Sequence, residues 1–76
     1  MQCCTCGAAA EDRTPGDFDG IRIDCRHCGL YEVSGAVLDQ LLRLSLPERA
    51  GALAAAKRLG RQDRVPLIDG QSLERL

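Results

Sequence analysis

The sequence predicts a small α+β fold in which a β-hairpin carrying paired cysteines precedes two helices and a short C-terminal turn. Three observations indicate this fold class. Two C-x-x-C pairs lie within the first 28 residues, apolar and polar residues alternate around the second pair, and helix-capping patterns follow residue 33. With 76 residues the chain is one domain whose hydrophobic core alone is thin, so we expect a bound metal ion to support its folding.

The two cysteine pairs have the spacing of a four-thiolate zinc site. Eighteen residues separate Cys6 from Cys25, and a glycine follows each pair, at Gly7 and Gly29. Each pair aims two sulfurs at one point, so two pairs complete a tetrahedron around Zn²⁺. Each glycine suits a knuckle in which the backbone needs a positive φ. The spacing therefore predicts one structural zinc ion per chain. Its predicted ligands are Cys3, Cys6, Cys25 and Cys28.

Cys4 and His27 lie beside the predicted ligands. Cys4 directly follows Cys3, and the alternative to the predicted set is that Cys4 replaces Cys3 or Cys6 in the first knuckle. We expect Cys4 to be a spare thiol. His27 lies between the two ligands of the second knuckle, so its ring should point away from the metal. We expect it to be exposed or to contact a partner.

A β-hairpin is predicted around the second cysteine pair. Residues 14–20 are rich in turn formers, and Ile21, Ile23 and Cys25 then fall on one face of a strand, with charged residues between them. The alternation continues after the pair in a returning strand. The second knuckle should therefore lie at the tip of the hairpin. The expected small core beneath the metal consists of Phe18, Ile21, Ile23, Tyr31 and Val33.

Two helices are predicted after the hairpin. Ser34 has the position of an N-cap for a helix over residues 35–44, whose leucines recur at helical spacing. Ser45 and Glu48 form a capping-box pattern with Pro47 in the first turn, and Gly60 ends an alanine-rich second helix. Because only two or three residues join the helices, we expect an αα-hairpin.

The last segment is predicted to be an extended tail. Pro66 disfavours helix at the residue before it, so residues 65–68 should be extended. Asp69 and Gly70 should then turn the chain before a final helical turn over residues 72–76. The expected organisation is a single domain over residues 1–76, with a metal-binding hairpin at 1–33, a helical hairpin at 34–60 and the tail at 61–76.

The metal-binding half resembles the rubredoxin-like zinc ribbons. The resemblance covers roughly residues 1–33 and implies a β-hairpin with two C-x-x-C-G knuckles and four cysteine ligands. The chain departs from the usual knuckle, which often has proline after the first cysteine, at Cys4 and Arg26. Iron or redox-active thiols are the alternatives to zinc, but aromatic residues are scarce and no βαβ pattern accompanies the pairs. The resemblance is carried by Cys3, Cys6, Gly7, Cys25, Cys28, Gly29 and Tyr31.

The charge of the chain is divided unevenly. Three arginines against six acidic residues give residues 1–33 a net charge of −3, whereas seven basic against five acidic residues give residues 34–76 a net charge of +2. Four thiolates on one Zn²⁺ add about two further negative charges to the first part. Affinity for nucleic acids rests on cations that neutralise phosphates. An acidic zinc ribbon is therefore poorly suited to this role.

Two classes of function remain open. The first is a regulatory or protein-interaction module whose helical hairpin, together with the outer face of the second knuckle, binds a protein partner or a second copy. The alternative is a nucleic-acid-binding zinc ribbon. It would use Arg22, Arg26 and His27 at the hairpin tip and the basic run Lys57, Arg58, Arg61 and Arg64. The acidic ribbon and the near absence of stacking aromatic residues favour a protein partner.

The sequence does not indicate an enzyme or a membrane protein. A closed four-thiolate site leaves no open coordination position, which a catalytic zinc requires. No export signal and no apolar run of about 20 residues is visible. Five cysteines without an export signal fit a metal site in a reducing compartment better than a disulfide framework. We therefore expect a cytoplasmic, non-catalytic protein.

Overall fold

A four-stranded sheet organises the computed structural model, which describes residues 1–60 and 64–74. Strands β1 (Ala10–Asp12), β2 (Gly20–Cys25) and β3 (Gly29–Ser34) pair antiparallel, and β4 (Leu67–Ile68) pairs parallel to β3. The helices of the described residues are α1 (Leu38–Leu42), α2 (Leu46–Leu59) and α3 (Gly70–Glu74). The predicted α+β class is confirmed. No helix in the described part of the chain is long and apolar enough to cross a membrane.

The β2–β3 hairpin follows the predicted alternation. Ile23 and Cys25 are buried, whereas Asp24 between them is exposed. Ile23 lies opposite Tyr31 in the antiparallel pairing, and the last pair of the ladder joins Cys25 to Gly29. The second cysteine pair therefore lies in the turn at the tip of this hairpin.

The hydrophobic core is larger than the one predicted, and Phe18 is not part of it. Ile23, Tyr31 and Val33 are fully buried, and Ile21 packs against them at the margin. Phe18 is only half-buried: it lies in the loop before β2, with its ring against Gly20 at the start of that strand. The same core continues into the helical part and the tail through Leu41, Ala52, Leu53, Ala56 and Ile68.

The first helix is shorter than predicted, and Ser34 is not its N-cap. Ser34 ends β3, and its hydroxyl accepts a hydrogen bond from the Ala36 amide at 3.3 Å, so the chain turns before it can become helical. The Gly35 amide donates to the Asp19 carbonyl at 3.0 Å, which ties this turn to the loop before β2. Helix α1 begins only at Leu38 and has no side-chain cap.

The second helix has the predicted caps but not the predicted partner. The Glu48 amide donates to the Ser45 hydroxyl, and the Glu48 carboxylate accepts from the Ser45 amide. These hydrogen bonds from Ser45 lower the pKa of Glu48. Helix α2 ends before Gly60 and makes its main contacts with β4 and α3. Three residues join α1 and α2, in agreement with the predicted connection, but α1 is a single turn and α2 packs mainly on the tail.

The tail completes the sheet. Leu67 and Ile68 of the predicted extended segment 65–68 form β4, and the Glu32 amide donates to the Pro66 carbonyl at 2.8 Å to begin the parallel pairing. Ile68 lies opposite Val33 and is fully buried. Helix α3 begins at Gly70, two residues before the predicted turn over 72–76. The parts of the predicted tail at residues 61–63 and 75–76 lie outside the described residues.

Candidate metal centre

The four cysteines named by the spacing converge on one point. Their sulfurs all lie within 4.8 Å of one another. The Sγ atoms of Cys6 and Cys25 are 3.6 Å apart, and those of Cys3 and Cys28 are 3.8 Å apart. A tetrahedron with Zn–S bonds of about 2.3 Å has sulfur–sulfur edges of about 3.8 Å. The four sulfurs are therefore positioned to bind a metal ion.

Short-range backbone structure shapes both knuckles. In the first, the Gly7 amide donates to the Cys3 carbonyl at 2.9 Å, and the Cys3 amide donates to the Ala8 carbonyl at 2.7 Å. Gly7 has a φ of 79° and Gly29 a φ of 83°, a left-handed conformation that residues with a side chain rarely adopt. The predicted reason for a glycine after each pair is thus confirmed.

The four sulfurs differ in exposure. Cys3 and Cys25 are buried, Cys28 is half-buried and Cys6 is exposed. Cys4 is also buried, but its sulfur is not one of the four that converge. The position of Cys4 in the fold agrees with a spare thiol.

Two buried hydroxyl groups contact the sulfurs. The Thr5 Oγ1 atom donates to Cys28 Sγ at 3.2 Å and lies 3.3 Å from Cys3 Sγ. The Tyr31 hydroxyl lies 3.1 Å from Cys3 Sγ and accepts a hydrogen bond from the Cys4 amide at 3.1 Å. Tyr31 was predicted to lie in the core, and no role was predicted for Thr5. The signal for Thr5 was its position inside the first C-x-x-C pair.

Hydrogen bonds to the sulfurs lower the pKa of a cysteine, whereas burial and neighbouring sulfurs raise it. Burial opposes ionisation of Cys3, but hydrogen bonds from Thr5 and Tyr31 outweigh it and lower the Cys3 pKa to about 6. A backbone hydrogen bond from Ala8 favours the Cys6 thiolate, but desolvation and the neighbouring sulfurs raise the Cys6 pKa to about 12. The metal-free cluster therefore resists a second thiolate at Cys6. A dication offsets part of this accumulated charge, so the donor set fits a divalent metal.

Helix α2 places a cation at each knuckle. The Lys57 ammonium donates to the Cys28 carbonyl at 3.2 Å. The Arg49 guanidinium donates to the Cys4 carbonyl at 3.5 Å and also to the Leu42 carbonyl at 2.6 Å. Lys57 belongs to the basic run of the nucleic-acid-binding alternative, but its ammonium is bonded to the second knuckle. Both cations are therefore bonded to backbone carbonyls of the knuckles, one at each.

The remaining residues of the predicted basic surface differ in their surroundings. Arg22 donates through two nitrogens to the Glu32 carboxylate, at 3.0 and 2.8 Å, across the β2–β3 ladder. Arg26 and His27 are exposed at the hairpin tip. In the basic run, exposed side chains are found at Arg58 and Arg64, and Arg61 lies outside the described residues.

Comparison of the chain with known protein families, characterised proteins and solved structures finds no match. The resemblance to a zinc ribbon is therefore supported by two observations on this chain. One is the doubled C-x-x-C-G motif, and the other is the convergence of Cys3, Cys6, Cys25 and Cys28.

Proposed function

We propose that this chain is a small zinc-stabilised module that binds a protein partner and has no catalytic activity. The observation that carries the proposal is the cluster of four cysteine sulfurs. A tetrahedral four-sulfur donor set is typical of zinc or iron–sulfur sites, and the scarcity of aromatic residues favours zinc over an electron-transfer iron. Four protein ligands leave no position for a reacting water, so the ion has a structural role.

The position of the cluster in the core supports a structural role. Cys3 and Cys25 pack with Ile23 and Tyr31 in the same core that holds Leu41. A structural zinc ion contributes on the order of 10 kcal/mol of binding free energy that appears as folding free energy. The ion thus joins the first knuckle, which has little regular structure of its own, to the β2–β3 hairpin.

Exposed leucines near the knuckles support a protein partner. Leu46, at the start of α2, is 45% exposed, and its Cδ1 atom lies 3.7 Å from the position that a Cβ would take at Gly7. Leu42 is exposed at the end of α1, and Leu30 is exposed directly after the second knuckle. Large apolar side chains therefore flank both knuckles, where a protein partner gains affinity by covering them.

The charges support a protein rather than a nucleic acid. Arg22 is paired with Glu32, and Lys57 is bonded to the backbone of Cys28. Both cations are therefore engaged within the protein and less suited to binding phosphates. The exposed Asp24 lies on the same hairpin, and the exposed Glu11 and Asp12 lie on the adjacent strand β1.

The test compares two matched leucine substitutions in zinc-loaded, nuclease-treated protein. Leu46→Asp introduces a charge beside the first knuckle. Leu59→Asp introduces the same charge at a residue that is also 45% exposed but lies about 20 Å further along α2. A partner isolated with the wild-type chain should be lost with Leu46→Asp and retained with Leu59→Asp, as measured by quantitative pull-down and then by calorimetry with the purified partner.

A nucleic-acid titration decides against the proposal if it finds strong binding. Submicromolar affinity for DNA or RNA at physiological salt, with a steep salt dependence that Arg58→Glu and Arg64→Glu abolish, would establish the nucleic-acid-binding alternative. These two arginines are suitable because both are exposed and neither forms part of the metal site. Equal loss of the protein partner with both leucine variants would also contradict the proposed surface.

A further inference from the structure

Side-chain hydroxyl groups contact only part of the sulfur cluster. Within residues 1–60 and 64–74, the hydroxyls of Thr5 and Tyr31 reach Cys3 and Cys28. Cys6, the exposed member of the cluster, has no hydroxyl partner in this part of the chain. The four ligands are therefore chemically unequal before any metal binds.

The direction of the Tyr31 hydrogen bond follows from its other partner. The Cys4 amide can only donate, so it uses a lone pair of the Tyr31 oxygen and leaves the hydroxyl hydrogen available. A metal-bound Cys3 thiolate carries no proton and can only accept. Tyr31 is fully buried, so water does not compete for this hydrogen. Tyr31 therefore donates to Cys3 in the metal-bound protein.

Thr5 is placed to act on the opposite ligand. Its side chain is 1% exposed, and its hydroxyl hydrogen is directed at Cys28 Sγ, 3.2 Å away. The hydroxyl thus links the first knuckle to a ligand that is 23 residues away in the sequence. A hydrogen bond to a thiolate withdraws electron density from sulfur, which makes the sulfur less nucleophilic, and it also orients the ligand toward the metal.

We infer that Thr5 and Tyr31 are positioning residues of the zinc centre. Their hydroxyls donate hydrogen bonds to the Cys28 and Cys3 thiolates, which slows metal loss and electrophilic attack at these two sulfurs. Cys6 is therefore the first sulfur to react. The inference rests on the proposed zinc-binding function and deepens it. It predicts the order in which the four sulfurs react. Electrophilic attack and metal release begin at the exposed sulfur of Cys6, and the hydrogen-bonded ligands Cys3 and Cys28 are the last to dissociate from the metal.

The first measurement is the rate of zinc transfer from the loaded full chain to an excess of a chromogenic chelator. Loss of an outer-shell partner typically costs about 10- to 100-fold in metal affinity, so Thr5→Val and Tyr31→Phe should each release zinc faster by a similar factor. Thr5→Ser keeps the hydroxyl and should retain the wild-type rate. Thr14→Val is the matched control, because the Thr14 hydroxyl donates to Asp12 and accepts from the Arg22 amide, and it bonds to none of the four sulfurs.

The second measurement separates a positioning role from a merely structural one. Zinc-loaded protein is treated briefly with iodoacetamide, in which the thiolate forms a C–S bond as iodide leaves, and the modified cysteine is identified by mass spectrometry. Cys6 should react first in the wild type. Tyr31→Phe should raise the reactivity of Cys3 alone, and Thr5→Val should raise that of Cys28 most.

Cobalt substitution supplies a spectroscopic check. Hydrogen bonds lower the energy of sulfur lone pairs, so their loss should move the sulfur-to-cobalt charge-transfer band of Thr5→Val and Tyr31→Phe to longer wavelength. Equal gains in reactivity at all four cysteines, or unchanged release rates and bands, would overturn the inference. If Thr5→Val does not fold, Tyr31→Phe, which keeps the aromatic ring, still tests the inference at Cys3. A wild-type chain that binds no zinc refutes the proposed function itself, whereas a zinc-loaded wild type with unaffected variants refutes only the inference.

Discussion

Removal of zinc should unfold the whole chain, including helix α2. Two of the four sulfurs belong to Cys3 and Cys25, which are buried in the same core as Leu41, Leu53 and Ile68. Metal loss therefore affects the contacts of the helices and the tail as well as the knuckles. Because α2 and the tail share this core with Cys3 and Cys25, the helices of residues 1–60 and 64–74 should not remain folded without the metal.

The magnitudes support complete rather than partial unfolding. At about 0.05–0.15 kcal/mol per residue, a chain of 76 residues has a free energy of unfolding of about 4–11 kcal/mol. The contribution of a structural zinc ion is on the order of 10 kcal/mol, comparable to this entire sum. Helix α2 has 14 residues, and isolated helices shorter than about 12–15 residues are marginal in water even when rich in alanine.

The assay is far-ultraviolet circular dichroism of the zinc-loaded protein before and after treatment with a strong chelator. The helical minimum should collapse toward a random-coil spectrum, the cooperative thermal transition should disappear, and added zinc should restore both. Cys4→Ser should behave as the wild type, because Cys4 is not one of the four converging residues. A metal-free protein that keeps most of its helical signal and a cooperative melting transition would refute the reasoning.

Three further predictions test the ligand set, the tail and the helix cap. Elemental analysis should find about one zinc ion per chain in Cys4→Ser and none in Cys25→Ser, and metal loss in Cys4→Ser would contradict the assigned ligands. Ile68→Ala should lower the free energy of unfolding by about 2–5 kcal/mol in urea titrations. Leu67→Ala should lower the free energy of unfolding much less, because Leu67 is 38% exposed whereas Ile68 is 0% exposed. Equal losses of free energy in the two variants would argue against a docked tail. Hydrogen bonds from the capping serine depress the pKa of Glu48, so its contribution to stability is complete above the pKa of an unfolded glutamate, about 4.3, and is lost as pH falls through the lower folded value. Glu48→Gln should therefore reduce stability at neutral pH and remove this part of the acid dependence, and parallel pH profiles for variant and wild type would contradict it.

The coupling between α2 and the knuckles bears on the proposed function. Arg49 joins the first knuckle to the end of α1, and Lys57 joins the second knuckle to the last turn of α2. The exposed Leu46 lies on the same helix as both cations. A partner that covers Leu46 would therefore contact a surface whose geometry depends on the metal site. This arrangement supports a zinc ion that maintains a binding surface.

Short-range sequence patterns predicted the parts of the structure that are set by residues close together in the sequence. The C-x-x-C-G spacing predicted the four converging sulfurs, because a knuckle is closed by residues three or four positions apart. The alternation around Ile23 predicted the β2–β3 hairpin, and the pattern at Ser45 and Glu48 predicted the start of α2. Each of these features is set by hydrogen bonds and side-chain directions within a few residues of the chain.

Tertiary structure decided what depends on residues far apart in sequence. The tail forms the fourth strand because Glu32 and Pro66 meet across the sheet, a contact that no local pattern contains. Ser34 fails as an N-cap because its turn is held by the distant loop before β2. The hydroxyls of Thr5 and Tyr31 become partners of the sulfurs only once the two knuckles are brought together. The spacing of the cysteines identifies which groups can bind a metal. The hydrogen bonds from Thr5 and Tyr31 to the sulfurs arise only from tertiary packing, because it brings residues that are far apart in the sequence into contact.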